Sequence, residues 1–414
     1  MKSATKPNKI FQMVGAVSPG RSQFDLSYTK KATFDMGEII PVMCDFVMPG
    51  DIMEIGYQAI LRMAPLVAPI LHKIDLTVHY FFVPYRILFN EQLGDISNWE
   101  DFITGGEDGT DATVLPRWTP NNPGTDNIVG TLWDYLGYPI NINPVGAYPL
   151  DFPRRAYYLI WNTWYRDQQL QTELDITDEA ANWEIKNRAW TKDYFTSART
   201  AQQLGTQSSI PITGTSSAIW GAVNAGSLQQ VSYNSATNEV YNANSKTFLE
   251  TNTVDLSSAT PIDIADLRLS LAVQRWLERN NRAGARYTEQ IQSHYGVKSQ
   301  DSRLQLPEFI GAAKSPIIIS EVLQTSETNT TPQGNLVGHG INASQNYIAK
   351  YKAQEHGLIM GLCSVMPKPA YHQGINRQWL YESKYDFYFP EFGDLSEQAI
   401  TRAELYANGV ANRS

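Results

Sequence analysis

The stretch from Ile74 to Val83 leaves the chain the least choice. Ile74, Leu76, Val78, Tyr80 and Phe82 alternate with Asp75, Thr77, His79 and Phe81. A period of two sorts them onto the two faces of a strand, whereas a helix would scatter both sets around its axis. The pattern predicts a half-buried strand. Upstream, Glu38 to Met43 and Ile52 to Tyr57 read as two shorter strands around a turn at Pro49-Gly50-Asp51, where proline presets φ and glycine accepts a positive φ. Pro41 has no N–H to give a central ladder, which demotes the first of these to a sheet edge or a bulge. Far downstream, Leu358 to Met366 is apolar at both alternating sets of positions and predicts a strand covered on both sides.

Strand material therefore brackets the chain, and the middle differs. Asp151 is placed to cap a helix running through Arg154 to Gln171, with Pro153 in its first turn and Tyr157, Trp161 and Trp164 at helical spacing. Asp263 opens a second helix, Ile264 to Arg279, on which Ile264, Leu267, Leu271 and Trp276 share one face. A third is expected over Tyr287 to Tyr295, closed by Gly296. From Thr200 to Thr260 the chain turns to Ser, Thr, Asn, Gln, Gly and Ala, a composition for exposed loops or short edge hairpins and not for a core. Strands at both ends with helices and a polar excursion between them predict a mainly β fold, an antiparallel sandwich with insertions grafted into its loops. The regular strand–helix rhythm of a doubly wound parallel sheet is absent.

The length of 414 residues supports a large core, and 22 Tyr and 10 Trp suit buried faces and subunit interfaces. The two cysteines, Cys44 and Cys363, lie far apart in sequence and read as free thiols in a reducing compartment. The amino terminus lacks a secretory pattern, and nowhere do about 18 apolar residues run together as a membrane span requires. A net charge of −9 disfavours a protein whose whole surface grips nucleic acid. The charge is uneven, however: up to Lys31 the chain carries Lys2, Lys6, Lys9, Arg21, Lys30 and Lys31 against one acid, Asp25. Such an arm can neutralise phosphates without sequence preference, or it can be a solvated tail.

No motif announces catalysis. Gly338-His-Gly340-Ile-Asn-Ala343 matches a dinucleotide string but lacks the strand–turn–helix setting, and reads as a loop. Gly214-Thr-Ser216-Ser-Ala218 lacks the second glycine of a nucleophile elbow. His72, His79, His294, His339, His356 and His372 form no metal-ligand spacing, with His79 expected on a sheet face. Glu107, Asp108 and Asp111 fall short of a calcium loop and read as an exposed turn. Asn329 and Asn342 head chance glycosylation strings. No metal, cofactor or enzymatic activity is expected.

Several strings in order resemble the major capsid proteins of gokushoviruses, within the microvirus family (Microviridae). They include Phe24-Asp-Leu-Ser27, Thr33-Phe-Asp-Met-Gly37, Tyr80-Phe-Phe-Val-Pro-Tyr-Arg86, Arg155-Ala-Tyr-Tyr-Leu-Ile-Trp-Asn162 and Trp164-Tyr-Arg-Asp167. Asp193-Tyr-Phe-Thr-Ser197, Arg303-Leu-Gln-Leu-Pro-Glu-Phe-Ile-Gly311, His356-Gly-Leu-Ile-Met-Gly361 and Tyr385-Asp-Phe-Tyr-Phe-Pro-Glu-Phe392 continue the series. The resemblance implies an eight-stranded antiparallel jelly roll, present in about sixty copies in a T=1 icosahedral shell. It also implies a circular single-stranded DNA genome inside, a small basic DNA-packaging protein, a bacterial host with a surface receptor, and residence in the virion after assembly in the host cytoplasm. The organisation expected is a basic arm over residues 1–31, a first jelly-roll part with an inserted helix over 32–199, a variable surface insertion over 200–260, and helices with the remaining strands over 261–414. Lys2, Lys6, Lys9, Arg21, Lys30 and Lys31 would face the DNA. Relatives usually continue beyond the position of Phe392 with a further aromatic and basic segment, so a shortened last portion is expected where this chain stops at Ser414.

Two other classes compete. A jelly-roll carbohydrate- or receptor-binding module would use the Tyr- and Trp-rich loops to hold a sugar, and a β-sandwich hydrolase would need paired carboxylates or a triad that the spacing does not reveal.

Overall fold

The computed structural model describes residues 20–66, 70–95, 97–106, 114–120, 126–142, 144, 146–178, 183–206, 218–220, 231–234, 236, 239–242, 252–254, 264–323, 336–393 and 399–407. The chain forms two units, Met1–Phe34 and Asp35–Ser414. In the first, the described residues from Gly20 onward are irregular and exposed up to Thr33, with Ser27 donating to the Asp25 carboxylate.

In the second unit the described strands are β1 (Ile40–Val47), β2 (Ile52–Arg62), β3 (Ile74–Pro84), β4 (Ala218–Trp220), β5 (Val231–Asn234), β6 (Glu239–Asn242), β7 (Asn252–Val254), β8 (Glu308–Leu323), β9 (Leu336–Lys352) and β10 (Gly357–Pro367). The helices are α1 (Tyr85–Leu88), α2 (Trp99–Thr104), α3 (Leu132–Tyr135), α4 (Phe152–Ile160), α5 (Ile264–Ala283), α6 (Tyr287–Tyr295) and α7 (Arg402–Leu405). Six strands form one antiparallel sheet in the order β1-β10-β3-β8-β9-β2, while β4-β7 and β5-β6 make separate two-stranded ribbons.

The two edges of that sheet, β1 and β2, are joined by only the turn at residues 48–51, so the sheet must curl until its edges meet. The turn itself is built as its residues dictate: Gly50 takes φ +92°, and Asp51 accepts from the Met48 N–H at 2.9 Å. The opposite turn, at 353–356, runs alongside it, with Gly50 N–H donating to Ala353 C=O at 2.8 Å and Ala353 N–H to Asp51 C=O at 2.9 Å. Val47 pairs with Gly357 and Ile52 with Lys352, with equal numbers of residues between them on both sides. Residues 40–62 and 341–363 are thus one antiparallel ribbon bent at a corner. Strand β8 bends likewise, pairing with β3 up to Ile317 and with β9 from Ile318. A long ribbon folded over on itself is the jelly-roll architecture. Of the eight strands expected, the described residues show six in the rolled sheet.

Pro41 lies on the edge strand at a register shift between residues 41 and 43, where its missing N–H breaks no central ladder. β10 is buried on both faces. β3 differs from its half-buried expectation, because its polar face is covered too. Even-numbered Ile74, Leu76, Val78, Tyr80 and Phe82 are buried inside the curl. On the other face, Phe81 and Val83, with Leu358, Met360 and Leu362 of β10, pack against Tyr157, Tyr158 and Trp161 and a cluster of Trp118, Trp133 and Trp183.

The helix expected over Arg154 to Gln171 is α4, continued by one π-helical stretch over Trp161–Tyr165 and ending there. Asp151 does not cap it. Its carboxylate, fully buried, instead accepts from Arg154 Nε at 2.5 Å and from Arg155 Nε at 2.7 Å. Arg155 also reaches Asp95 at 2.8 Å and the Leu88 carbonyl at 2.9 Å, and Arg154 reaches the Asp178 carbonyl. Burial alone would lower the Arg155 pKa, but its hydrogen bonds to Asp95 and Asp151 and their charges hold it above the ordinary value. α6 has the expected bounds, closed by Gly296 at φ +70°.

Removing Asp151 would leave the buried Arg154 guanidinium without a carboxylate and Arg155 with Asp95 alone. Asp151→Ala should lower the unfolding free energy by about 3–5 kcal/mol. Glu54→Ala, which breaks only the exposed 2.8 Å pair with Lys350, should cost under about 1 kcal/mol. Equal midpoints for the two variants in chemical denaturation would contradict this account of the cluster.

Candidate functional site

Each sequence candidate has a definite place. Gly338 to Ala343 lies within β9 and is a strand, not the expected loop; a Cβ on Gly340 would meet the Met63 sulfur at 2.5 Å. Ser216, Asn329, Glu107, Asp108 and Asp111 lie outside the described residues. Asn342 is buried in β9, bonded to Ser315 and the Pro316 carbonyl. Cys44 and Cys363 are free thiols, and burial pushes Cys363 up to about 12. Among the described residues no three His, Cys, Asp or Glu side chains gather as metal ligands, and no helix is long and apolar enough to cross a membrane. A cleft of about 510 Å³ between Trp161, Leu170, Leu174 and Ile185 is lined, among the described residues, by two charged groups, Glu184 and Lys186.

His79 sits on the sheet face beneath the inserted segment. Its Nδ1 is 2.6 Å from the Tyr165 hydroxyl, while the neighbouring Arg188 donates to Thr77 at 2.9 Å and to Ser364 at 3.0 Å. Burial, then the Arg188 charge, push the His79 pKa down to about 4, so the ring is neutral at pH 7. These groups tie the insertion to the sheet.

What the fold does expose is apolar surface. The amphipathic helix predicted from Asp263 is α5, but its apolar face is not buried: Ile264, Leu267, Leu271 and Trp276 are all exposed, as are Leu269 and Val273 on its other sides. A second patch follows β10, where Trp379, Tyr385, Phe387 and Tyr388 project, Tyr388 at 80% exposure. Its base is clasped by Glu404, a buried carboxylate receiving Tyr194 Oη at 2.7 Å, Thr401 N–H at 3.0 Å and Arg377 at 3.3 Å. The outer face of β2 and β9 is mixed: Ile52, Ile60, Ile341 and Tyr347 stand exposed among Glu54, Gln58, Arg62, Lys350 and Lys352. Large apolar side chains left exposed in groups, as on α5 and around Trp379 and Tyr388, are the kind of surface that association covers. Of the basic arm, Arg21, Lys30 and Lys31 are exposed in the irregular amino-terminal unit, and Lys2, Lys6 and Lys9 lie outside the described residues.

The unfolded chain protonates His79 near pH 6.5, whereas the folded chain does so only near 4. Its contribution is therefore complete above about pH 6.5 and is lost as pH falls toward 4, by up to about 3 kcal/mol. Denaturation of wild type and His79→Gln at several pH values should show a steeper acid loss in the wild type; parallel curves would rule out this linkage.

Comparison with known proteins agrees with this picture of a chain built to associate. A family model described as Capsid protein (F protein) matches residues 12–414. The chain is 30% identical over 487 aligned positions to capsid protein VP1 of Chlamydia phage 1, covering 96% of this chain and 79% of that protein. It is 31% identical over 457 positions to capsid protein VP1 of Bdellovibrio phage phiMH2K, covering 100% and 82%. Against capsid protein VP1 of Spiroplasma virus 4 the figures are 29% over 443 positions, covering 94% and 77%. With a rolled antiparallel sheet at its centre and a family match over nearly its whole length, this chain belongs to the phage capsid protein (F protein) family of the Microviridae and is a structural component of the virion.

Proposed function

We propose that this chain closes, in about sixty copies, into a T=1 icosahedral shell around a circular single-stranded DNA genome. The observation that carries the reading is the amount of apolar surface left bare in one copy, on α5 and around Trp379 and Tyr388. Neighbouring copies would bury such surface in a closed assembly. In this reading residues 32–199 and 261–414 build the wall. The polar excursion at 200–260, where β4 to β7 form two short ribbons, projects toward a bacterial surface receptor, since loops on a rigid scaffold carry recognition. The arm, with Lys2, Lys6, Lys9, Arg21, Lys30 and Lys31, faces the DNA beside a small basic packaging protein, and assembly takes place in the host cytoplasm.

Electron microscopy of the expressed full chain should show small isometric particles; protein that stays monomeric under all assembly conditions would sink the reading. Replacing Lys2, Lys6 and Lys9 together by Ala should lower the DNA retained per particle and flatten its salt dependence while shells still form. Unchanged DNA content would leave the arm a solvated tail.

A further inference from the structure

Resting on the reading of a DNA-enclosing shell, we infer that the bare outer face of β2 and β9 is a binding surface for single-stranded DNA, distinct from the basic arm. Strand alternation sets Glu54, Gln58 and Arg62 of β2 and Gln345, Tyr347, Lys350 and Lys352 of β9 on this face, all exposed. Its charged groups are three cations, Arg62, Lys350 and Lys352, against the single carboxylate of Glu54, on a chain whose net charge is −9. The sign is locally reversed where the sheet is uncovered, which is the complementarity a polyanion needs.

The cations stand at the two ends. Arg62 pairs with Ile341 and Glu54 with Lys350, so a strand length of roughly 25–30 Å separates them, enough for several nucleotides. Between the ends lie the paired amides of Gln58 and Gln345 and, next along, Tyr347, whose strand partner is Gly56. Glycine there places no side chain over the phenol, and Tyr347 remains 68% exposed. An aromatic ring open to solvent between flanking cations is the arrangement that holds unpaired bases by stacking while the backbone follows the charge. Uncharged amides between them can bond base edges of any sequence. Lys350 is held by Glu54 at 2.8 Å, an exposed pair, and exposed pairs yield readily to a phosphate competitor. Ile52, Ile60 and Ile341 on the same face would suit a second copy of the chain, but burying Arg62 and Lys352 in a protein interface would call for carboxylates opposite them.

The test uses the full chain in the Lys2/Lys6/Lys9→Ala background, so that the arm does not mask the face, and titrates fluorescein-labelled oligothymidine at several salt concentrations. Tyr347→Ala should weaken binding roughly 5- to 150-fold, the loss of one stacked base, and Tyr347→Phe should restore it. Combined Arg62→Gln, Lys350→Gln and Lys352→Gln should lower the slope of log affinity against log salt by about 2. Unchanged affinity and slope in these variants would overturn the inference, and so would lost assembly with DNA binding intact, which would assign the face to a neighbouring copy. The DNA content of wild-type particles separates the two readings. Wild-type particles that hold DNA, with face variants binding normally, would sink only the face; DNA-free wild-type particles would sink the genome reading beneath it.

Discussion

Everything else in the second unit hangs on the ribbon formed by residues 40–62 and 341–363. Its hydrogen bonds hold one register through a corner, and that continuity forces the sheet to roll. Once rolled, β3 and β10 have an inside and an outside, and both must be covered. The inside is filled by the sheet's own aliphatic and aromatic side chains. The outside is roofed by the segment after β3, whose tryptophans and tyrosines bring more apolar area than a strand face could supply.

The roof brings polar groups with it, and they are held in two ways. Asp151 and Asp95 together neutralise Arg154 and Arg155 in a nearly solvent-free site, where the attraction is strong but desolvation offsets much of it. The arrangement contributes geometry more than stability, fixing α4 against Asp95 and the end of α1. His79, Tyr165, Arg188, Thr77 and Ser364 do the same over the sheet, with the histidine held neutral so that its burial costs less. The surfaces on which the proposed assembly rests are elsewhere, on faces that no described part of this chain covers.

How much of this the residues disclose depends on which physical signal dominates locally. β3 and β10 were legible because alternation and continuous apolarity speak directly of sheet faces, and α6 because Gly296 stops it. The strand containing Gly338 and Gly340 was not, since small residues there serve close packing against Met63 and erase the alternation. Asp151 looked like a cap because local sequence cannot show that two guanidinium groups compete for its carboxylate. The apolar stripe of α5 was visible, but a stripe is the same whether its cover comes from the same chain or another. Of the candidate surfaces, the arm was readable from charge alone; the face carrying Arg62, Tyr347 and Lys352 was not, because it is assembled from two strands distant in sequence.

That distance sets a clock. Arg62 meets Ile341 only after roughly 280 further residues have been synthesised, which at about 5–20 residues per second takes roughly 15 to 55 seconds. Throughout that interval β1 and β2 have no partners, and neither does the edge of β3 that β10 will occupy. Unpaired strands of this kind invite pairing with other nascent chains, so the wait is a hazard for folding. It also imposes order: a subunit can present its docking surfaces in finished form only once nearly all of it has left the ribosome, which keeps shell growth from beginning on incomplete chains.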